Sequence, residues 1–248
     1  MTGFPRTADA AALLEVLPST GSTNAVLREN AAGLPHLSVV LTRDQTAGRG
    51  RLDRSWIAPA GAALAVSVLL RDLPADLSLR GWIPLIAGAA MADAVTAQLS
   101  GHDVGVKWPN DLLVDDRKLS GILAEATAEG VIVGAGVNTR MTTAQLPVAT
   151  ATSFSALGAE ADEDRLVAEW LERLDALLRA LREEPDAART AVAQRCLTLG
   201  REVRVELPDG AARRGRALRL DVDGRLVIDA ADGEFAVAAG DIVHARAV

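Results

Sequence analysis

Residues 104–126, VGVKWPNDLLVDDRKLSGILAEA, hold three short apolar runs separated by two turn signals, Pro109–Asn110 and Asp115–Asp116–Arg117. Runs this short, punctuated by proline, asparagine and aspartate, predict three strands joined by tight turns. Further apolar runs at residues 37–42, 61–70 and 130–138 predict more strands. Residues 79–99 are alanine-rich and apolar all round, the pattern of a helix packed deep against a sheet. Residues 162–182 read as an amphipathic helix whose first acids suit the positive end of the helix dipole. Residues 10–17 fit either a short helix or a strand. Together these segments predict an α+β fold with a mixed sheet and flanking helices.

From about Gly200 the pattern changes to short alternating strands separated by Pro-Asp-Gly, Asp-Gly and Ala-Asp-Gly. Such turn signals at short spacing predict a small β barrel or meander. The expected division is therefore a larger domain over residues 1–198 and a small one over 199–248. A unit of that second size leans on its neighbour for stability.

Several function classes are disfavoured. The formal net charge of −7 argues against a general nucleic-acid binder, which needs a net cationic surface. The single cysteine, Cys196, cannot form an internal disulfide, and His36, His102 and His244 lack metal-ligand spacing. The N-terminus has no basic stretch followed by an apolar run, so a cytoplasmic protein is expected. The apolar, uncharged stretch at residues 55–70 is too short and too interrupted to span a bilayer.

The segment GRGRLDRSW, Gly48 to Trp56, sets three arginines among two glycines. Such a loop holds phosphate, touches nucleic acid or is a solvated turn. It lacks the Walker pattern and no dinucleotide fingerprint follows a first strand. The chain contains only two lysines, Lys107 and Lys118, eleven residues apart. A point-like ammonium does what a planar guanidinium cannot in a tight site, although a genome biased to arginine also accounts for the count. If a carboxylate is to attack a phosphate ester, fixed cations must offset the repulsion, and Arg49, Arg51, Arg54, Lys107 and Lys118 could supply them. Asn110 and Asp111 could hold Mg²⁺ or its waters. Ser22, Thr23 and Asn24 precede a helical pattern, which equally suits an N-cap. The weakly patterned residues 139–159 read as a functional lid.

STN, QTAGRGR with Trp56 behind it, KWPNDLLVDDRKLSGILAE and GAGVN occur in that order. This set closely resembles the signature segments of biotin protein ligases, the biotin–[acetyl-CoA-carboxylase] ligases, over about residues 13–140. The resemblance implies a class II synthetase-like catalytic domain and an SH3-like C-terminal domain. It implies that biotin and MgATP give biotinyl-5'-adenylate, from which biotin passes to one lysine of the biotin carboxyl carrier domain of an acetyl-CoA or acyl-CoA carboxylase. By analogy Ser22, Thr23, Asn24 and Gln45 belong to the biotin site, with Gly48 and Arg49 lining the tail and Gly134 and Gly136 admitting the ring system. Arg49, Arg51, Trp56, Asn110, Lys118 and Asn138 belong to the nucleotide side. Arg51, Lys107, Asp111 and Lys118 act at the reacting centre, with Lys118 also on the biotin carboxylate. Mg²⁺ is expected with ATP near Asn110 and Asp111, not in a site made by protein alone.

One departure is plain: Leu52 and Asp53 follow Arg51 where the family loop commonly repeats glycine. The short stretch before STN leaves no room for a helix-turn-helix, so no repressor activity, no nucleic-acid partner and no membrane partner are expected, in a monomer or homodimer. The rivals are a lipoate or octanoate ligase of the same fold and, more distantly, a transferase using a Cys196 thioester. A nucleic-acid adaptor using the arginine loop is a third, disfavoured by an aromatic content of 3%.

Overall fold

In the computed structural model, residues 3–52, 54–206 and 212–238 are described, with the backbone of residues 241–244. The chain runs β1 (Leu13–Leu17), β2 (Ser38–Thr42), the two-residue pair β3 (Gly48–Arg49) and β4 (Ser55–Trp56), β5 (Leu64–Leu70), β6 (Val104–Lys107), β7 (Asp111–Val114), β8 (Arg117–Ala126) and β9 (Val131–Val137). Seven of these make one sheet in the order β1-β2-β5-β9-β8-β7-β6. The β1–β2 pair is parallel and the others antiparallel, so the sheet is mixed as expected.

Residues 10–17, ambiguous in sequence, divide between helix α1 (Pro5–Ala10) and β1. Helix α2 (Thr23–Asn30) begins within the STN run, with Ser22 at its N-cap position. The alanine-rich helix starts later than its composition suggests, because a 3₁₀ segment (Leu77–Trp82) precedes α3 (Ile83–Thr96) and Pro84 occupies its first turn. Helix α4 (Glu163–Glu183) begins at Asp162, whose side chain accepts the Arg165 N–H. Helix α5 (Pro185–Gln194) was not read from the sequence; a second proline-initiated helix directly after α4 looks like its continuation.

Alternation along the strands gives the two faces of the sheet different tasks. Val39, Leu41, Val66, Val68, Val133, Ala135 and Val137 join α3 and α4 in the main core. The other face carries Val40, Leu69 and Ile132, which pack against Leu27 and Ala31 from the α2 region. Beyond that contact the same face continues through small residues, Ala65 and Ser67 on β5 and Gly134 and Gly136 on β9. This leaves a hollow that the short α2 does not fill.

The β7–β8 hairpin turns through Asp115 and Asp116, both left-handed (φ 48° and 61°), as a type I′ turn requires. Hydrogen bonds from His102 and from the Asp103 N–H hold the Asp115 carboxyl below its ordinary value. At the far edge of the sheet, Val106 N–H donates to the Arg195 carbonyl (2.7 Å) and Leu197 N–H to the Val106 carbonyl (2.9 Å). This covers the open edge of β6 with the segment after α5.

The C-terminal strands β10 (Glu202–Glu206), β11 (Ala212–Leu220), β12 (Leu226–Ala230), β13 (Gly233–Val237) and β14 (Asp241–His244) form an antiparallel sheet in the order β13-β12-β11-β10-β14. Its β11–β12 turn rests on the larger unit. Trp82 Nε1 donates to the Val222 carbonyl (2.9 Å) and Trp108 Nε1 to the Gly224 carbonyl (3.1 Å). The approach is close at Gly81, where a Cβ would meet the Asp223 carbonyl oxygen at 2.3 Å.

Candidate active site

The hollow is a cleft of about 370 Å³. Helix α2 presents its N-terminus to it, with Ser22, Thr23 and Asn24 on the wall. Ser22 sits at the N-cap position but its side chain caps nothing. Gln45 does that work instead: its Oε1 accepts the Thr23 N–H at 2.9 Å and lies 3.2 Å from the Thr23 hydroxyl. The Ser22 hydroxyl is thereby not consumed by the helix start.

Across the cleft, the β6–β7 turn and β8 deliver the charged groups. Lys107, Asn110, Asp111 and Lys118 all line it. Lys118 Nζ lies 2.6 Å from Asp111 Oδ1, over Gly121. Asn110 is held from both ends, its amide nitrogen donating to the Ile122 carbonyl (2.8 Å) and its Oδ1 accepting from Arg51 Nη1 (3.1 Å). The basic loop closes one side through Arg49, Arg51, Arg54 and Trp56. Both lysines of the chain thus face one cleft, as do its three loop arginines. Asp53 lies outside the described residues. Its neighbour Leu52 takes the left-handed conformation (φ 55°) that a glycine would adopt without strain.

Gly134 and Gly136 line the cleft, but the space above them is filled by the protein itself. A Cβ on Gly134 would meet Asn24 Oδ1 at 2.3 Å, and one on Gly136 would meet Trp56 Cε2 at 2.5 Å. The glycines admit those two side chains to the strand, which sequence reading assigned to a ligand ring. Gly48 and Asn138 are not on the cleft wall. Gly48 packs under Trp56 and Gln45, where a Cβ would meet the Trp56 carbonyl oxygen at 2.4 Å. Buried Asn138 donates to the Thr152 carbonyl (2.9 Å), and its own carbonyl accepts the Phe154 N–H (3.2 Å). It fastens residues 152–154 to the sheet.

The segment 139–159 is accordingly not free along its length. Lys118 N–H donates to the Thr150 carbonyl and Thr152 N–H to the Lys118 carbonyl, both at 2.8 Å. Ala151, Thr152, Ser153 and Phe154 are buried, whereas residues 142–145 and 147–150 are exposed. Only residues 142–149 have the freedom of a lid.

Two members of the arrangement escaped sequence reading. Ser67 is buried in β5, with its Oγ 2.7 Å from Thr23 Oγ1 and 2.6 Å from Asn24 Oδ1. Glu125 on β8 accepts from Asn24 Nδ2 (2.6 Å) and pairs with Arg28 (2.6 Å) and Arg49 (3.1 Å). The signal for Ser67 was a lone hydroxyl inside an apolar strand, since a buried polar group needs a partner. Cys196 is buried and is not on the cleft wall, and burial pushes its thiol up, which disfavours the thiolate a thioester mechanism needs. Among the described residues no cluster of three His, Cys, Asp or Glu is assembled for a metal. Asp111 and Asn110 spend oxygens on Lys118 and Arg51. Among the same residues, no helix is long and apolar enough to cross a membrane.

The Biotin/lipoate A/B protein ligase family matches residues 14–138, and the Biotin protein ligase C terminal domain matches residues 198–245. The chain is 38% identical over 238 residues to the biotin–[acetyl-CoA-carboxylase] ligase of Mycobacterium tuberculosis, covering 94% of this chain and 89% of that protein. It is 35% identical over 176 residues to the bifunctional ligase/repressor BirA of Escherichia coli, covering 68% of this chain and 54% of that protein. The solved structure of biotin protein ligase from Aquifex aeolicus in complex with biotin and ATP is similar with a TM-score of 0.79 at 25% identity, covering 95% of this chain and all of that one. The cleft, its two lysines and the C-terminal sheet therefore sit in a chain that belongs to the biotin/lipoate A/B protein ligase family, in the branch carrying the biotin protein ligase C-terminal domain.

Proposed function

We propose that this chain is a biotin protein ligase that activates biotin with MgATP and transfers it to a lysine of the biotin carboxyl carrier domain of an acyl-CoA carboxylase. The observation that carries the reading is the cleft itself, with Thr23 and Gln45 at one end and the Lys118–Asp111 pair with Arg51 on Asn110 at the other. One end suits an uncharged ring system with N–H and C=O groups, the other a carboxylate and a phosphate.

In the first step the biotin carboxylate attacks the α-phosphorus of ATP and pyrophosphate leaves. In this reading Lys118 bridges carboxylate and α-phosphate, and Arg49, Arg51 and Lys107 offset the meeting of two anions in a cleft with low-dielectric walls. Asp111 keeps the Lys118 ammonium aimed until the substrates displace it. Trp56 and Asn110 take the nucleotide side, with Ser22, Asn24, Gly134 and Gly136 shaping the biotin end. Gly48 and Asn138 act one step back, through Trp56 and through residues 152–154. Mg²⁺ enters with the triphosphate as part of the substrate. In the second step the acceptor amine attacks the acyl carbon of the mixed anhydride, the acyl–oxygen bond breaks, and AMP leaves. The catalytic unit is placed at residues 1–198 and the C-terminal unit at 199–248. The net charge of −7 supports a ligase that is not a general nucleic-acid binder.

The test is biotin-dependent exchange of pyrophosphate into ATP, run beside octanoate and lipoate. Exchange is expected with biotin, falling by about 100-fold or more in Lys118→Ala, the loss typical when one preorganised charge donor is removed. Exchange with octanoate in place of biotin would move the chain to the lipoyl branch.

A further inference from the structure

Glu125 does not line the cleft, yet Asn24, and through it Ser67 and Thr23, lead to it. Its carboxylate takes Asn24 Nδ2 at 2.6 Å and Arg28 Nη2 at 2.6 Å, and Arg49 Nη2 reaches both of its oxygens at 3.1 and 3.2 Å. A carboxylate between two guanidiniums only accepts hydrogen bonds. The Asn24 amide therefore points its nitrogen at Glu125 and its oxygen at Ser67.

That orientation propagates. Asn24 Oδ1 can only accept, so the single Ser67 hydroxyl hydrogen goes to it, across 2.6 Å. Ser67 then has only lone pairs to offer Thr23, 2.7 Å away, and the Thr23 hydroxyl must be the donor in that contact. The competing contact of the Thr23 hydroxyl with Gln45 Oε1 is longer, 3.2 Å, and Gln45 already receives the Thr23 backbone N–H. With its hydrogen turned to Ser67, the Thr23 oxygen has a lone pair left for the cleft. A ligand group meeting it there must be an N–H or O–H donor.

We propose that Glu125 is a positioning residue that sets the donor direction along Asn24–Ser67–Thr23 and so makes Thr23 an acceptor for a ligand N–H. This rests on the reading of the cleft as a biotin site, in which the N–H belongs to the ureido ring. Arg28 has a separate part: it stays on Glu125 when Arg49 turns to the ligand's anionic group, so the carboxylate keeps a counter-ion throughout. The chain of bonds works whether or not Arg49 is engaged.

Glu125→Gln keeps the shape of the side chain but can donate as well as accept, which lets the Asn24 amide reverse. Biotin affinity, measured by calorimetric titration without ATP, is expected to fall about tenfold, the size of one buried hydrogen bond. Ser67→Ala removes the middle link and should give a similar loss. Combined with Glu125→Gln it should give no further one. The deciding measurement is a pair of double-mutant cycles. In a Thr23→Ala background the Glu125→Gln penalty should vanish, and in an Arg49→Ala background it should persist. A penalty that persists with Thr23→Ala, or vanishes with Arg49→Ala, overturns the proposal and reduces Glu125 to a counter-ion of the loop. If Thr23→Ala alone leaves biotin affinity unchanged, the assignment of this end of the cleft falls, and the proposal with it.

Discussion

At the scale of single residues, the cleft depends on what is missing from β9. Gly136 leaves room for the Trp56 indole and Gly134 for the Asn24 amide. Adding one methyl at Gly136 forces Trp56 outward, because a Cβ 2.5 Å from an aromatic carbon is impossible without movement. Gly136→Ala is expected to cost about 1–3 kcal/mol, divided between folding and ligand binding. A lowered melting temperature together with weaker biotin binding by calorimetry would show it, and unchanged binding would mean that Trp56 does not shape the site. The tail of this logic was visible in the sequence, where GAGVN announced a close approach on a strand. That the approaching groups are side chains 80 and 110 positions away was not, since no local pattern encodes them.

Among elements, α2 and the segment after β9 hold the site from opposite sides. The helix start is capped by Gln45 from another loop, so the Ser22 hydroxyl is not spent on the cap and the Thr23 hydroxyl meets Ser67 and Gln45. A sequence reader sees Ser-Thr-Asn before a helix and cannot separate capping from binding, because both use the same oxygen atoms. The segment 139–159 looked uniformly loop-like, yet Asn138 and Lys118 anchor residues 150–154 through backbone bonds. Biotin with MgATP is therefore expected to slow proteolysis within residues 142–149 and to leave residues 151–154 resistant with or without ligand. Mass mapping of early cleavage products would read this, and cleavage inside 151–154 in the free protein would contradict the anchoring.

For the molecule as a whole, the C-terminal sheet completes the larger unit. Trp82 and Trp108, each 1% exposed, rely on carbonyls of Val222 and Gly224 for their indole N–H groups. Truncation after Thr198 leaves both donors without those partners, at about 1–3 kcal/mol each before any loss of apolar contact is counted. The truncated chain should unfold at clearly lower urea concentration. It should also lose adenylation, because Trp108 leads directly into Pro109, Asn110 and Asp111 of the cleft. An unchanged urea midpoint would show the two units to be energetically independent.

Short-range chemistry determined much of this protein from sequence alone. Apolar runs and turn residues specified the strands of both sheets except β1, and the lysine pair with the arginine loop pointed to a site for anions. Helix α5 and the start of α3 were obscured because prolines restart helices without changing composition. What only the tertiary structure decided is which face of the sheet is hollow and which residues meet there. Asn24 and Glu125 stand 101 positions apart and Thr23 and Ser67 stand 44 apart, so their hydrogen bonds exist only once β5, β8 and β9 lie side by side beneath α2. Hydrogen-bond partnership is a property of three-dimensional proximity, and a buried serine or a half-buried glutamate acquires its meaning from neighbours the sequence does not name.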